Sequence, residues 1–102
     1  MAEFTTVGRA DEVAEGQVKA FEVAGQLVAV TRIGGSLYAF GDTCTHRGCS
    51  LATGEVTGNE IECECHGSVF DMTTGAVVEG PAEEPEPTFP VRDEGGDLQI
   101  EA

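Results

Sequence analysis

The chain has 102 residues, 40% of them hydrophobic, a size and composition that fit one small folded domain over residues 1–102. Nineteen acidic residues against five basic ones give a formal net charge of −14, which argues against nucleic-acid and anionic-lipid partners and favours a partner with a basic patch. The longest apolar run is far shorter than the roughly 20 residues that cross a bilayer, and residues 1–4 lack the features of a secretion signal, so we expect a cytoplasmic protein without membrane contact.

The first forty residues predict antiparallel strands, because short runs of alternating apolar and polar residues are separated by turn formers. Strands are expected at 4–7, 17–23, 26–33 and 36–40, and the polar connection at 11–15 can form a helical turn. Glycine in the pairs 24–25 and 34–35 suits tight hairpin turns.

Residues 41–70 read as an insert in which two segments rich in cysteine and histidine flank a short pair of strands near 50–56 and 59–62. A hairpin of 69–72 with 76–78 follows, and a last hairpin joins 89–91 to 98–100. Between these hairpins the prolines of 80–87 predict a loop. No stretch shows helical periodicity, so the expected fold class is all-β.

Two pairs of potential metal ligands stand out, Cys44 with His46 and Cys63 with His66. Two thiolates and two imidazoles could bind one zinc ion. Zinc fingers, however, usually place two cysteines in one knuckle and two histidines on a helix, whereas each pair here holds one of each. The pattern favours a 2Fe-2S cluster in which two histidines replace two cysteines on one iron.

The segments Cys44-Thr45-His46-Arg47-Gly48 and Cys63-Glu64-Cys65-His66-Gly67-Ser68 resemble the two cluster-binding boxes of the Rieske family, and the chain's length resembles that of its ferredoxin branch. The resemblance implies antiparallel sheets that form a base, with an inserted cluster-binding subdomain at about 41–70. It also implies one 2Fe-2S cluster per chain, whose ligands are Cys44, His46, Cys63 and His66, with the histidines near solvent.

Two further cysteines, Cys49 and Cys65, occupy the positions at which Rieske proteins of quinol-oxidising complexes carry a disulfide. The resemblance therefore implies a Cys49–Cys65 bridge, which would contribute roughly 3 kcal/mol to stability if it is unstrained. The alternative is a pair of buried free thiols.

Other residues near the ligands are expected to tune the cluster. Ser68 matches a serine that donates a hydrogen bond to a cluster sulfur in high-potential relatives, although a loop-capping hydroxyl is an equal alternative. Phe70 replaces the tyrosine of those relatives, which favours a reduction potential in the low part of the Rieske range of about −150 to +300 mV. Gly48 and Gly67 would let the backbone approach the cluster closely, or they are simple turn residues. Pro81 resembles part of the family's third loop, which shields the cluster.

The resemblance implies a one-electron carrier rather than an enzyme. It would take electrons from an NADH-driven, flavin-containing ferredoxin reductase and pass them to the terminal oxygenase of an aromatic-ring-hydroxylating dioxygenase. Both partners would dock transiently at the exposed face around His46 and His66.

Three alternatives stay open. The chain could be the small Rieske subunit of a nitrite reductase, or the soluble domain of a quinol-oxidising cytochrome complex, which Cys49, Cys65 and Ser68 favour. A zinc-binding interaction module is the third. The aromatic substrate depends on the oxygenase and cannot be read from this chain.

Overall fold

The computed structural model of the protein describes residues 4–43, 49–64, 67–80 and 84–101. These residues form strands and two short 3-10 helices, so the predicted all-β class is confirmed. None of the helices in the described part of the chain is long and apolar enough to cross a membrane. In chain order the strands are β1 (Phe4–Arg9), β2 (Val18–Val23), β3 (Gln26–Ile33), β4 (Ser36–Gly41), β5 (Glu55–Thr57), β6 (Glu60–Glu62), β7 (Val69–Asp71), β8 (Val77–Glu79), β9 (Thr88–Phe89), β10 (Val91–Glu94) and β11 (Asp97–Glu101).

Three antiparallel sheets make up the described structure, in the strand orders β1-β11-β10, β2-β3-β4-β9 and β5-β6-β7-β8. We call the first two the base sheets and the third the outer sheet. The predicted hairpins of the base are confirmed, since Val23 pairs with Gln26 and Ile33 with Ser36. Both residues of each turn have positive φ; they are Ala24 and Gly25 in the first turn and Gly34 and Gly35 in the second.

Two predicted elements differ from the structure near the ligand segments. The strand expected at 50–56 is wrong in its first half, where a 3-10 helix at Leu51–Thr53 precedes β5. Gly54 ends that helix against the carbonyl oxygen of Glu62, a contact that leaves no room for a Cβ atom. The outer sheet also continues to Glu79, beyond the insert boundary expected near residue 70.

The strand expected at 89–91 is in fact two strands in different sheets. β9 pairs with β4, whereas β10 pairs with β11. Pro90 separates them, and its lack of an N–H prevents a continuous hydrogen-bonded ladder. The helical turn expected at 11–15 is a 3-10 helix at Ala10–Glu12.

Residues 28–31 of β3 and 39–41 of β4 are buried, and their side chains divide the hydrophobic core in two. One core lies within the base and includes Val28, Val30 and Leu98. The other lies under the outer sheet; its buried members are Ala29, Phe40, Leu51, Ile61, Cys63, Phe70 and Met72. A predicted ligand, Cys63, is therefore part of the core that joins the base to the outer sheet.

Candidate metal centre

The structure describes one of the four predicted ligands, Cys63. The other three ligands, Cys44, His46 and His66, lie outside the described residues. The same holds for three of the predicted neighbours, Gly48, Cys65 and Pro81. The ligand set as a whole therefore stays a prediction, and what the structure provides is the framework from which both ligand segments project.

Cys63 lies directly after β6 at the start of a tight turn and is 1% exposed. Its backbone N–H donates to the carbonyl oxygen of Ser68 at 2.7 Å, and its own carbonyl oxygen accepts from the N–H of Gly67 at 2.9 Å. Gly67 has a φ of 77°, which favours glycine and agrees with the turn role considered for it. The turn thus anchors the thiol of Cys63 in the core while the next residue, Glu64, is exposed.

Ser68 and Phe70 follow this turn, and both are fully buried. Phe70 belongs to the same core as Cys63, and on β7 it pairs with Ile61 of β6. Its ring therefore helps to keep the Cys63 site dry. The hydrogen bond expected from Ser68 to a cluster sulfur stays a prediction, which its burial supports.

The first ligand segment leaves the base just after β4 and returns before the 3-10 helix at Leu51–Thr53. Thr43 and Ser50 form an antiparallel bridge at its ends. Asp42, which is 1% exposed, accepts hydrogen bonds from both Ser50 and Ala52. Asp42 was not among the predicted site residues, although an acidic residue directly after a largely apolar strand was a usable signal.

Cys49 is half-buried and packs against the core that contains Cys63. Its predicted partner, Cys65, lies outside the described residues. The Cys49–Cys65 pairing therefore stays a prediction.

The end of the proline-containing connection bridges the base and the outer sheet. The N–H of Glu86 donates to the carbonyl oxygen of Gly75 at 2.8 Å, and the N–H of Gly41 donates to that of Pro87 at 2.9 Å. Glu86 itself is 4% exposed. This connection is thus fixed at its C-terminal end beside the turn between β7 and β8.

The exposed face of the outer sheet is acidic. Glu55 lies directly opposite Glu62 in the β5–β6 pairing, and both line a shallow cavity of about 200 Å³ together with Glu60 and Glu79. The sequences of the four strands contain no lysine or arginine. The face therefore presents a negative field next to the Cys63 turn, where Glu62 lies near Gly67.

The donor chemistry fits a 2Fe-2S cluster. Leu51, just after the first ligand segment, and Cys63, in the second, are buried in one core, and Cys49 packs against it. Both segments consequently emerge from the same end of the molecule. Each segment contains one cysteine and one histidine in the predicted ligand set, which is the donor set of a histidine-ligated cluster.

Comparison with known proteins agrees with a 2Fe-2S cluster. Residues 3–90 match the family model described as Rieske [2Fe-2S] domain. The anthranilate 1,2-dioxygenase ferredoxin subunit of Burkholderia cepacia is 37% identical over 101 residues, 98% of this chain and 93% of that protein. The ferredoxin component of the naphthalene 1,2-dioxygenase system of Pseudomonas aeruginosa is 34% identical over 90 residues, 88% of this chain and 86% of that protein.

A relative of another kind is the cytochrome b6-f complex iron-sulfur subunit of Chlorobaculum thiosulfatiphilum, which is 37% identical over 95 residues. The match covers 93% of this chain but only 51% of that protein. The likeness to it is therefore confined to about half of its length.

Solved structures give the same picture. The ferredoxin of carbazole 1,9a-dioxygenase from Nocardioides aromaticivorans IC177 superposes with a TM-score of 0.89 at 32% identity, covering 95% of each chain. A complex of reduced oxygenase and oxidized ferredoxin in carbazole 1,9a-dioxygenase matches with the same TM-score and identity over 96% of this chain and 92% of that chain.

Proposed function

The chain belongs to the Rieske [2Fe-2S] domain family, and from that membership we propose that it is the ferredoxin of an aromatic-ring-hydroxylating dioxygenase system. It carries one Rieske 2Fe-2S cluster and transfers electrons without acting as an enzyme itself. The observation that carries this conclusion is the likeness, over almost the whole chain, to a ferredoxin solved in complex with its oxygenase.

Four side chains would hold the cluster. Cys44 and Cys63 would bind one iron, and His46 and His66 the outer one. The bound cluster supplies reversible one-electron chemistry, at a potential between about −150 and +300 mV in this family. The buried surroundings of Cys63, with Ile61 and Phe70, would exclude water from the inner end of the site.

We propose that a flavin-containing ferredoxin reductase donates the electron and that the terminal oxygenase accepts it. Both would dock in turn at the face around His46 and His66. The acidic face of the outer sheet, which contains Glu55 and Glu62, supports a partner surface with basic residues. Such charge pairing speeds the formation of a short-lived complex more than it strengthens it. Because an NADH-driven reductase needs the cell's supply of reduced nicotinamide, we place the protein in the cytoplasm.

The decisive experiment is a reductive titration of the purified protein, followed by absorbance and electron paramagnetic resonance. We expect a Rieske spectrum with a midpoint potential near −150 mV, at the low end of the family range of about −150 to +300 mV. The titrated protein should then mediate electron flow from a ferredoxin reductase to a ring-hydroxylating oxygenase. A colourless zinc protein, or a brown one that mediates no such flow, would contradict the proposal.

A ligand variant and a matched control sharpen this test. His66→Ala should abolish the Rieske spectrum, whereas Glu62→Gln, an exposed neighbour of the turn, should keep it. A normal cluster in the His66 variant would rule out the ligand assignment.

The second candidate is the iron-sulfur domain of a quinol-oxidising complex. The presence of Cys49 and Cys65 and the burial of Ser68 favour it, as does the match to part of a cytochrome b6-f subunit. Phe70, buried where high-potential relatives carry a tyrosine, argues against it. A midpoint potential a few hundred millivolts above −150 mV, toward the top of the family range, would select this candidate.

A further inference from the structure

We propose that Asp42 is the positioning residue of the first ligand segment: its buried carboxylate accepts hydrogen bonds that close the neck of this segment, which consists of residues 42–43 and 50–52. The inference rests on the proposed function, since it takes Cys44 and His46 to be cluster ligands. It assigns Asp42 no contact with the cluster.

Asp42 binds both sides of the neck. Its Oδ2 accepts a hydrogen bond from Ser50 Oγ at 2.7 Å, and its Oδ1 accepts from the backbone N–H of Ala52 at 2.9 Å. Its carbonyl oxygen accepts from the N–H of Leu51 at 2.6 Å. Residue 42, two positions before Cys44, is thereby joined to residues 50, 51 and 52 on the returning side of the segment.

The same residue fixes the neck to the base. The N–H of Asp42 donates to the carbonyl oxygen of Leu27 on β3 at 3.1 Å. Its neighbour Gly41 is held in turn by Pro87 through a 2.9 Å hydrogen bond. The carboxylate therefore connects the returning end of the segment to a residue that the base sheets hold in place.

The burial of Asp42 requires these partners. At 1% exposure, a carboxylate without hydrogen bonds would be strongly destabilising. Here each of its two oxygens accepts a hydrogen bond from a defined donor. The interaction is thus both favourable and specific in geometry.

The second ligand segment is closed differently. Its turn is held by backbone hydrogen bonds between Cys63 and both Ser68 and Gly67. A side-chain substitution at its ends leaves those bonds in place. The first neck depends in part on the side chain of residue 42, so a substitution there should move Cys44 and His46 relative to Cys63.

The test compares four variants of the full chain with bound cluster: Asp42→Ala, Asp42→Asn, Ser50→Ala and the control Thr31→Val. Thr31 is also fully buried, and its hydroxyl donates to the carbonyl oxygen of Gln17 at 2.8 Å, within the base. The measurements are the line positions of the reduced cluster in electron paramagnetic resonance and the half-life of its absorbance on mild heating.

We expect Asp42→Ala to shift the line positions and to shorten the half-life roughly tenfold or more, because two part-buried donors lose their acceptor. Ser50→Ala should shorten it about threefold, since it removes one bond. Asp42→Asn should restore nearly normal behaviour: its amide oxygen can accept from Ala52, and its amide N–H can donate to the Ser50 hydroxyl.

The control separates positioning from a general loss of stability. Thr31→Val should lower the unfolding temperature and leave the line positions unchanged. The proposal is overturned if Asp42→Ala and Ser50→Ala behave like Thr31→Val, or if Asp42→Asn loses its cluster as fast as Asp42→Ala. Should Asp42→Ala fail to fold, Ser50→Ala and Asp42→Asn still decide the question.

These readouts also distinguish the two proposals. A wild-type protein that holds the cluster but transfers no electrons to an oxygenase contradicts the proposed function and leaves the role of Asp42 intact. A normal ferredoxin whose Asp42→Ala and Ser50→Ala variants have unchanged spectra contradicts the inference alone.

Discussion

The backbone N–H of Cys63 donates a 2.7 Å hydrogen bond to the carbonyl oxygen of Ser68, and both residues are buried. This bond brings the two ends of the second ligand segment together. A proposed iron ligand and a buried hydroxyl group therefore share one dry site, in which a single hydrogen bond has a larger electrostatic effect than it has in water.

Ser68→Ala should lower the midpoint potential. A hydroxyl that donates to a cluster sulfur stabilises the reduced, more negative state. Loss of about 1.4 kcal/mol, a typical value for one such bond, corresponds to about 60 mV for one electron. Redox titration of the variant, with Ser36→Ala on the exposed start of β4 as the control, measures the shift. An unchanged potential would assign Ser68 to loop capping.

Gly75→Ala should destabilise the protein far more than Gly58→Ala. Both glycines have positive φ, 79° and 61°, which costs an alanine about 1–2 kcal/mol. A Cβ at Gly75 would also collide with the carbonyl oxygen of Glu86, whereas Gly58 has open space around it. We expect a fall in unfolding temperature of about 5 °C for the Gly58 variant and more than about 12 °C for the Gly75 variant. Equal falls in unfolding temperature would show that residues 84–87 can shift away from a Cβ atom at position 75 at little cost in stability.

Thr73→Val should reduce stability at neutral pH and have little effect in acid. The Thr73 hydroxyl donates to Asp71 at 2.6 Å and is the main reason that the pKa of this carboxyl lies below its ordinary value of 3.8. A lowered pKa stabilises the fold above about pH 4, and that contribution disappears as the pH falls through the folded-state pKa.

Urea unfolding midpoints of wild type and Thr73→Val, measured from pH 7 to pH 3, check this expectation. The difference between the two proteins should narrow steadily below about pH 4. Thr5→Val, an exposed threonine on β1, is the control and should show no such trend. A difference that stays constant with pH would mean that the hydroxyl acts through packing.

Replacing both Cys49 and Cys65 by serine should leave the cluster assembled and make the protein less stable to heat. A bridge that closes a loop of this length contributes roughly 3 kcal/mol. Thermal unfolding of the variant and of wild type, each with and without a thiol reductant, measures the loss. Stability that neither the substitutions nor the reductant changes would show that the predicted bridge is unimportant.

The sequence predicted the base hairpins well because their determinants are local. The continuous apolar run of β3 and the glycines at 25, 34 and 35 that bound it are enough to define the strand and its turns. The motifs similarly indicated the second ligand segment, where the described Cys63 and Gly67 form a turn.

The features that the sequence did not predict depend on contacts between distant residues. Asp42 gains its role from Ser50 and Ala52, across a segment whose path no periodicity defines. The break at Pro90 is recognisable only when β9 and β10 are known to pair with different strands. Gly54 looks like an ordinary turn residue until the carbonyl oxygen of Glu62 is placed against it.

The pairing of β1 with β11 has a consequence for the order of folding. The β2–β4 and β5–β8 groups each pair with sequence neighbours, so both can form while the chain is still leaving the ribosome. Among the described strands β1 is made first and its partner β11 last, so Phe4 can pair with Glu101 only after the strands between them have been made. The sheet that completes the base is therefore a late step of synthesis, and a ribosome-bound chain that ends before β11 should expose the apolar surface that Leu98 and Ile100 cover in the finished protein.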